Sequence, residues 1–526
     1  MPGGVFEAEE NAAAAIATGA FMELKSAGYV IFCLAVIIVY YLAKRIPKGQ
    51  RSVLLIANCI LILSLTRKTV LLLILALCAF VFLIGRALEK AVADKKKARS
   101  QVLLYVGLAG VIGLLCYFKF FKESYALLAN VLALHGIGLA ELIVPVGISY
   151  YSLSLIAYLL DIYHKKLKAE KNFLDFATFV TFFPSIVEGP INLYKKVAPQ
   201  LTGEHDFDPD NFTRGFLRCL WGYFKKVVIA DRIGILVMGI LTAEGSSGFT
   251  LFGAMVLYSF QIYTDFSGGI DVVIGVAEAL DIKLSENFKA PLCSKSVTEY
   301  WQRWHMSLGE FMEKYIYYPI VLNRRVMKFS KKIKNSYMQK VFSATLASVI
   351  VFVIVGIWHG TGWNYVVYGC YQAFFVSTAV LLGPVYKKLR ERLNINDKCI
   401  SYRILTCLRT FVLLTFGRYF IKAKDLHQTF ELFKRTFTKW NIGVLFDGSM
   451  TEYGLDYKNL CVMYLCILLI IITDITYYHG IRIRDIIMKQ DVIFRFTIYI
   501  IAVMSIVIFG IYGPEFTSAS FIYQGF

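Results

Sequence analysis

Two of the seven histidines stand in apolar sequence, where an ionisable side chain is costly. His359 follows the almost unbroken apolar run VFSATLASVIVFVIVGIW and opens the segment HGTGWN, and His305 lies between Trp304 and Met306. A charge at the middle of a membrane helix costs about 2.5–3.5 kcal/mol on insertion scales, so an ionisable residue there indicates a functional site. We interpret His359 and His305 as candidate catalytic residues, with a hydrogen-bonded structural histidine as the alternative.

The residues around His359 are those of a small pocket. Glycines flank the histidine and allow close backbone approach, while tryptophans supply an apolar wall. These neighbours are Gly356, Gly360, Gly362, Trp358 and Trp363. Acyl transfer from a thioester to a hydroxyl requires one base in such a pocket, because the base takes the hydroxyl proton as attack begins. General-base help of this kind is typically worth about 10²–10⁴ in rate.

Several carboxylates also stand in apolar context. They are Asp161, Glu188, Asp265, Asp271 and Glu278. Asp265 lies in the run YSFQIYTDFSGGIDVVIG, which we expect to break at Gly268-Gly269. Asp265 either orients a histidine or lines a polar cavity, or it satisfies backbone groups freed at that break. The pattern favours a structural or cavity role.

Composition places these residues in a membrane protein. Of the 526 residues, 57% are apolar and 18% are charged, against about 45–50% and about 25% in soluble globular proteins. There is too little charge to cover several soluble domains. The net charge of +19 is concentrated between apolar runs, at 44–51, 95–99, 165–171 and 324–340. This is typical of cytoplasmic loops and argues against a nucleic-acid partner.

The apolar runs predict an all-α integral membrane protein with many spans. Runs near the roughly 20 residues that cross a bilayer as a helix lie at 28–43, 52–65, 69–88, 101–119, 142–160, 227–242, 250–275, 341–358, 363–383, 403–421, 459–477 and 493–512. We expect about 11–13 spans in a single domain over residues 1–526, and residues 122–140 as an outer loop or surface helix. The 11 cysteines form no CxxC pair, so no metal site is predicted.

Two stretches interrupt this pattern. Segment 172–201 is apolar but contains Pro184, Gly189 and Pro190 beside Glu188. It is either a re-entrant element around a site, since irregular backbone at membrane depth is tolerated only when buried, or a surface amphipathic helix followed by a loop.

Segment 285–323 is the second stretch that interrupts the pattern of apolar runs. Ser296 and Glu299 have the spacing of a capping box, and the residues after them predict one amphipathic helix. Its apolar stripe consists of Trp301, Trp304, Leu308, Phe311, Met312 and Tyr315.

Four blocks in matching order give the chain a family resemblance. They read PVGISYYSLSLIAYLLDIY (145–163), FFPSIVEGPINLYKK (182–196), a long block ending in TEYWQRWHMSLGEF (263–311) and GIWHGTGWNYVVYGCYQAFF (356–375), with a weaker fifth at 415–437. The chain resembles the membrane-bound O-acyltransferases, in particular their alginate O-acetyltransferase branch, a relative of the D-alanyl transferase of teichoic acids. The resemblance covers about residues 70–440 and leaves 441–526 as a C-terminal membrane extension.

The resemblance implies a fold and a set of site residues. The family fold is a thick ring of helices, with re-entrant and amphipathic helices around a central tunnel. His359, in the WHG motif, would be the catalytic histidine, and His305, in WQRWH, the second family histidine. Residues expected along the tunnel are Trp358, Gly360, Trp304, Asp265, Glu188 and Asn287.

The resemblance also implies a reaction in the plasma membrane. An acetyl group would pass from a cytoplasmic thioester, most simply acetyl-CoA, to hydroxyls of an exported or cell-wall polysaccharide, or to an extracytoplasmic partner acyltransferase. No bound cofactor is expected. One alternative is a D-alanyl or longer-acyl transferase fed by an acyl carrier protein. The other is a polysaccharide or lipid transporter without chemistry.

Three positions depart from the family pattern. Gln372 stands where a second histidine is common, Glu313-Lys314 where an Arg-Asp pair is frequent, and Glu188 where small or neutral residues usually precede GPI. These departures leave both key histidines in place, and they weaken any prediction of which sugar is modified.

Overall fold

A computed structural model describes residues 23–66, 68–132, 145, 147–243, 246 and 248–512. Within these ranges the chain forms helices and no β-strand, apart from one isolated antiparallel bridge between Phe288 and Trp304. The prediction of an all-α protein is therefore confirmed. The chain divides into two compact units, one containing residues up to 223 together with 269–285, the other containing 224–268 and the residues from 286 onward.

Together with a 3₁₀ turn at Ala43–Arg45, the first unit contains eight described α-helices and the end of a ninth. They are α1 (Ala27–Leu42), α2 (Gly49–Leu65), α3 (Lys68–Ala93), α4 (Lys97–Leu132), α5 (Ile148–Tyr163), α6 (Phe173–Val180), α7 (Tyr194–Thr202) and α8 (Pro209–Tyr223). Gly147 begins α5 with φ of +73°, and a Cβ there would lie 1.6 Å from the carbonyl oxygen of Ile186. Only glycine permits both this backbone conformation and this close approach.

The central part of the interrupted segment 172–201 is buried rather than spread on a surface. Helices α6 and α7 flank an irregular stretch at 181–193, and residues 176–194 are all buried. The alternative of a surface amphipathic helix is wrong for this stretch. The side chain of Asn58 compensates for part of the missing helical bonding. It donates to the Thr178 carbonyl at 3.3 Å and accepts from the Phe183 amide at 2.7 Å.

Residues 122–132 also differ from the prediction. Helix α4 continues without interruption through Leu132, so residues 122–132 extend the predicted span 101–119 and do not form a separate loop or surface helix. Residues 133–140 lie outside the described part of the chain.

The second unit begins with a π-helical turn, Phe224–Ala230. Its helices are α9 (Asp231–Thr242), α10 (Gly248–Ala279, whose residues from 269 belong to the first unit), α11 (Val297–Arg303), α12 (Met306–Met312), α13 (Tyr318–Val321), α14 (Arg324–Ser330), α15 (Ser336–His359), α16 (Trp363–Leu381), α17 (Gly383–Arg392), α18 (Ile400–Lys422), α19 (Leu426–Thr436), α20 (Tyr457–Tyr478), α21 (Ile483–Met488) and α22 (Val492–Phe509). Glycines bring α15 and α16 together, since a Cβ on Gly369 would lie 2.4 Å from the carbonyl oxygen of Phe352.

Fewer helices qualify as spans than the apolar runs predict. Within the described ranges, seven are long and apolar enough to cross a membrane, or up to eight if α16 and α17, bent by 62°, form one span. The seven are α1, α3, α4, α15, α18, α20 and α22. The run 227–242 became a π turn and a 12-residue helix, and most of the described part of the run 142–160 lies in the 16-residue α5. Apolar sequence continues across these helix ends, so its length overstates helix length.

Candidate active site

The segment around His305 is broken where one continuous helix was predicted. Helix α11 ends at Arg303, α12 begins at Met306, and His305 between them has φ of +50°. A left-handed conformation in a residue other than glycine costs about 1–3 kcal/mol and persists only where its surroundings enforce it. His305 therefore lies in a strained turn between two short helices, not on a helix face.

The predicted start of α11 is confirmed. Ser296 Oγ accepts a hydrogen bond from the Glu299 amide at 3.1 Å, as an N-cap residue does. In a capping box the glutamate side chain accepts from the backbone amide of the N-cap residue. Here Glu299 Oε2 instead accepts from the amide of Lys295, the residue before the N-cap, at 2.9 Å. The cap fixes where α11 begins.

An extended segment pairs with the turn on its other side. The Lys289 amide donates to the Arg303 carbonyl and the Met306 amide donates to the Asn287 carbonyl, both at 3.0 Å. The side-chain oxygen of Asn287 accepts from the Ser307 amide, also at 3.0 Å. These three bonds span both ends of the turn and hold the backbone of His305 in place.

His305 is almost completely buried among aromatic rings. It is 1% exposed, and its ring centroid lies 4.9 Å from that of Phe266 and 6.0 Å from that of Trp358. His305 lies outside the candidate spans, and burial lowers its pKa well below the usual value. We therefore expect the His305 imidazole to be neutral at pH 7. One of its ring nitrogens can then accept a hydrogen bond or a proton, and the other can donate a hydrogen bond.

His359 is the last residue of α15 and is 4% exposed. Its ring centroid lies 5.1 Å from that of Trp358 and 6.3 Å from that of Tyr368. Gly360 follows in an extended conformation, and a Cβ there would lie 2.2 Å from the Tyr365 ring. The glycine thus lets the Tyr365 ring close over the chain directly after the histidine. Trp358 contacts both histidines, so one indole joins them in a single buried cluster.

The chain matches a known protein family over most of its length. The sequence profile described as "MBOAT, membrane-bound O-acyltransferase family" matches residues 59–421, well over half of the chain. The chain belongs to this family. It is accordingly a multi-pass integral membrane protein and an O-acyltransferase.

Three relatives illustrate the range of this similarity. The chain is 28% identical to the probable alginate O-acetylase of Pseudomonas syringae pv. tomato, over 81% of the chain and 77% of that relative. It is 29% identical to the peptidoglycan O-acetyltransferase of Helicobacter pylori, over 64% and 65%. It is 27% identical to the teichoic acid D-alanyltransferase of Bacillus subtilis, over 55% and 71%. The resemblance to the alginate branch is therefore confirmed.

In this O-acyltransferase Asp265 contacts a lysine. Helix α10 is continuous across Gly268-Gly269, so the predicted break is wrong and no backbone groups are freed there. The Asp265 carboxylate accepts from Lys226 Nζ at 2.5 Å, and the same ammonium lies 3.0 Å from Asp231. The three side chains are at most 7% exposed. They form a buried ion cluster at the π-helical turn.

Lys226 was not singled out from the sequence. Lys225 and Lys226 precede the apolar run 227–242 and look like the positive flank of a span. The signal that distinguishes them is the presence of Asp231 and Asp265 within apolar sequence, since buried cations need anionic partners.

A second missed residue is Arg418 on α18. Its Nη2 donates to the Tyr300 hydroxyl at 2.6 Å, and its guanidinium carbon lies 5.2 Å from the centre of the Trp304 ring. These three side chains line a cleft together with Ser259 and Thr410. An indole, a phenol, a guanidinium and two hydroxyls give this cleft both an apolar wall and polar groups beside the residue that precedes His305.

The remaining predicted residues fall in different places. Glu188 is fully buried in the irregular stretch 181–193 of the first unit, whereas Asn287, Trp304 and Trp358 belong to the second. Gln372, which replaces a common family histidine, accepts a hydrogen bond from the Trp301 indole at 3.2 Å. Gln372 therefore contacts α11 four residues before His305.

Proposed function

We propose that this O-acyltransferase moves an acetyl group from acetyl-CoA, on the cytoplasmic side, to hydroxyls of an exported or cell-wall polysaccharide, or to an extracytoplasmic partner acyltransferase that passes the group on. The observation that supports it most is the buried cluster in which Trp358 contacts both His305 and His359. A dry, aromatic site with two imidazoles suits proton transfer during acyl exchange.

In the proposed reaction His359 is the general base. Its imidazole takes the proton of the acceptor hydroxyl as that oxygen attacks the thioester carbonyl carbon. A carbon–oxygen bond forms, the carbon–sulfur bond breaks, and the proton passes from His359 to the departing thiolate. His305, held neutral by burial, positions the donor or the acceptor by hydrogen bonding.

The names of the relatives support an exported polymer as acceptor. The relatives in Pseudomonas syringae and Helicobacter pylori are named for acetyl transfer to alginate and to peptidoglycan. Both are polysaccharide-containing polymers with sugar hydroxyls. Their alignments reach 29% identity, which supports the class of acceptor without choosing between the two polymers.

The alternative within the family is a D-alanyl or longer-acyl transferase fed by an acyl carrier protein. The relative in Bacillus subtilis is named for D-alanyl transfer, but it aligns with 55% of the chain, against 81% for the alginate relative. The basic segment 324–340, which contains α14 and the start of α15, suits either the phosphates of CoA or an acidic carrier, but orientation by positive charge explains it better.

The donor is tested in isolated membranes that contain the chain and its polymer acceptor. We expect label from [¹⁴C]acetyl-CoA to appear in polymer esters, and membranes with a His359→Ala variant at equal abundance to give the background rate. A parallel reaction supplies a carrier protein loaded with the labelled acyl group. Label that reaches the polymer only from the carrier would overturn the acetyl-CoA proposal and favour the alternative.

A further inference from the structure

Asn287 uses only half of its side-chain amide within the protein. Its Oδ1 accepts from the Ser307 amide at 3.0 Å, which fixes the orientation of the amide because a reversed group would set two donors against each other. The residue is 0% exposed, and its Nδ2 has no hydrogen-bond partner among the described residues. Buried polar groups are paired as a rule, so an unpaired donor requires an explanation.

The position of Asn287 in the fold suggests an explanation for the unpaired donor. Its backbone carbonyl accepts from Met306 and its side chain from Ser307, the two residues after His305. The next residue, Phe288, packs its ring at 5.1 Å from Phe266, which itself contacts the His305 ring at 4.9 Å. The unpaired donor therefore belongs to the segment that enforces the left-handed turn at His305.

We propose that Asn287 has two functions in the proposed acyl transfer, on which this inference rests. Through its oxygen it is a positioning residue that holds the turn of His305. Through its Nδ2 it donates a hydrogen bond to the carbonyl oxygen of the acyl thioester, where negative charge develops as the hydroxyl attacks. A donor prepared in a water-poor site stabilises such an oxyanion, and loss of one typically lowers kcat about 10²–10³-fold.

The substitution Asn287→Asp separates the two functions. A carboxylate oxygen still accepts from the Ser307 amide, but the second oxygen cannot donate while the group is ionised. We expect the KM for acetyl-CoA to change less than threefold and kcat at pH 8 to fall about 10²-fold. As the pH is lowered the buried carboxyl takes up a proton and regains a donor, so the ratio of variant to wild-type kcat should rise.

The positioning function, by which Asn287 holds the turn of His305, is tested without any activity measurement. In Asn287→Ala the Ser307 amide loses its acceptor, and hydrogen–deuterium exchange at residues 304–307 should speed up by tenfold or more, whereas Asn287→Asp should leave it near the wild-type rate. Asn58→Asp serves as the control for placing a carboxyl at a buried asparagine, because both ends of the Asn58 amide are bonded. It should lose thermal stability without altering exchange at 304–307.

The outcomes are distinct. Wild-type kcat for Asn287→Asp at pH 8 would refute the donor, as would a lowered kcat ratio that stays constant with pH. A rise in the KM for the acceptor alone, with kcat unchanged, would move the hydrogen bond from the acyl carbonyl to the acceptor and also overturn the proposal. Unchanged hydrogen–deuterium exchange at residues 304–307 in Asn287→Ala would refute the positioning function. Failure of the wild type to use any thioester would refute the proposed function instead and leave the exchange result standing.

Discussion

The substitution His359→Ala is expected to lower kcat for acyl transfer by about 10²–10⁴, the usual contribution of a general base. Substrate contacts elsewhere in the site would remain, so the KM for the donor should change little. The measurement is the initial rate with acetyl-CoA in purified, detergent-solubilised or reconstituted protein. His359→Gln is the companion variant, because glutamine retains side-chain volume against Trp358 and Tyr368 but is no base at neutral pH.

The matched control is His427→Ala on α19. His427 is 83% exposed and lies 4.0 Å from Glu431 on the same helix. Its replacement should leave the rate within twofold of the wild type. Equal rates for His359→Gln and the wild type would contradict the role of His359 as a base, and equal losses in the His359 and His427 variants would point to a general effect on the protein.

The second large effect is on stability. Lys226→Met removes the ammonium between Asp265 and Asp231 and leaves two carboxylates buried without it. Removing one partner of a buried ion pair typically costs about 3–5 kcal/mol, because the remaining charge stays desolvated. We expect a large fall in the thermal unfolding temperature of the detergent-solubilised protein, or failure to accumulate.

A variant in which the whole cluster is uncharged separates the effect of charge on stability from the effect of packing. The triple variant Lys226→Met, Asp231→Asn, Asp265→Asn also removes the two carboxylate charges and should recover much of the stability lost in the single variant. The exposed pair Lys387 and Glu391, 4.0 Å apart, is the control. Lys387→Met should cost less than about 1 kcal/mol, as exposed pairs do. A cost equal to that of Lys226→Met would contradict the importance of burial.

Some features of the site could be predicted from local sequence alone. Both histidines stand out because an ionisable side chain within apolar sequence is rare, and Ser296 was identifiable because an N-cap depends on the next three residues alone. The buried, irregular stretch at 181–193 was indicated by Pro184, Gly189 and Pro190 close together, because proline in a helix interior removes a hydrogen bond and clashes with the preceding turn.

Other features depend on residues distant in sequence. The apolar stripe runs through Trp304 and Leu308 at helical spacing on both sides of His305, so periodicity gives no sign of the turn. The turn follows from pairing with Asn287 and Lys289, well before it in the chain. Similarly, the sequence left several roles open for Asp265, because its partner Lys226 lies 39 residues earlier.

The most direct test of the account is the O-acetyl content of the exported polysaccharide in cells that lack the gene and carry either the wild-type chain or His359→Ala at equal membrane abundance. We expect the wild type to restore ester-linked acetate and the variant to give no more than the empty vector. Full restoration by His359→Ala, or an acetate content that does not depend on the chain at all, would contradict it.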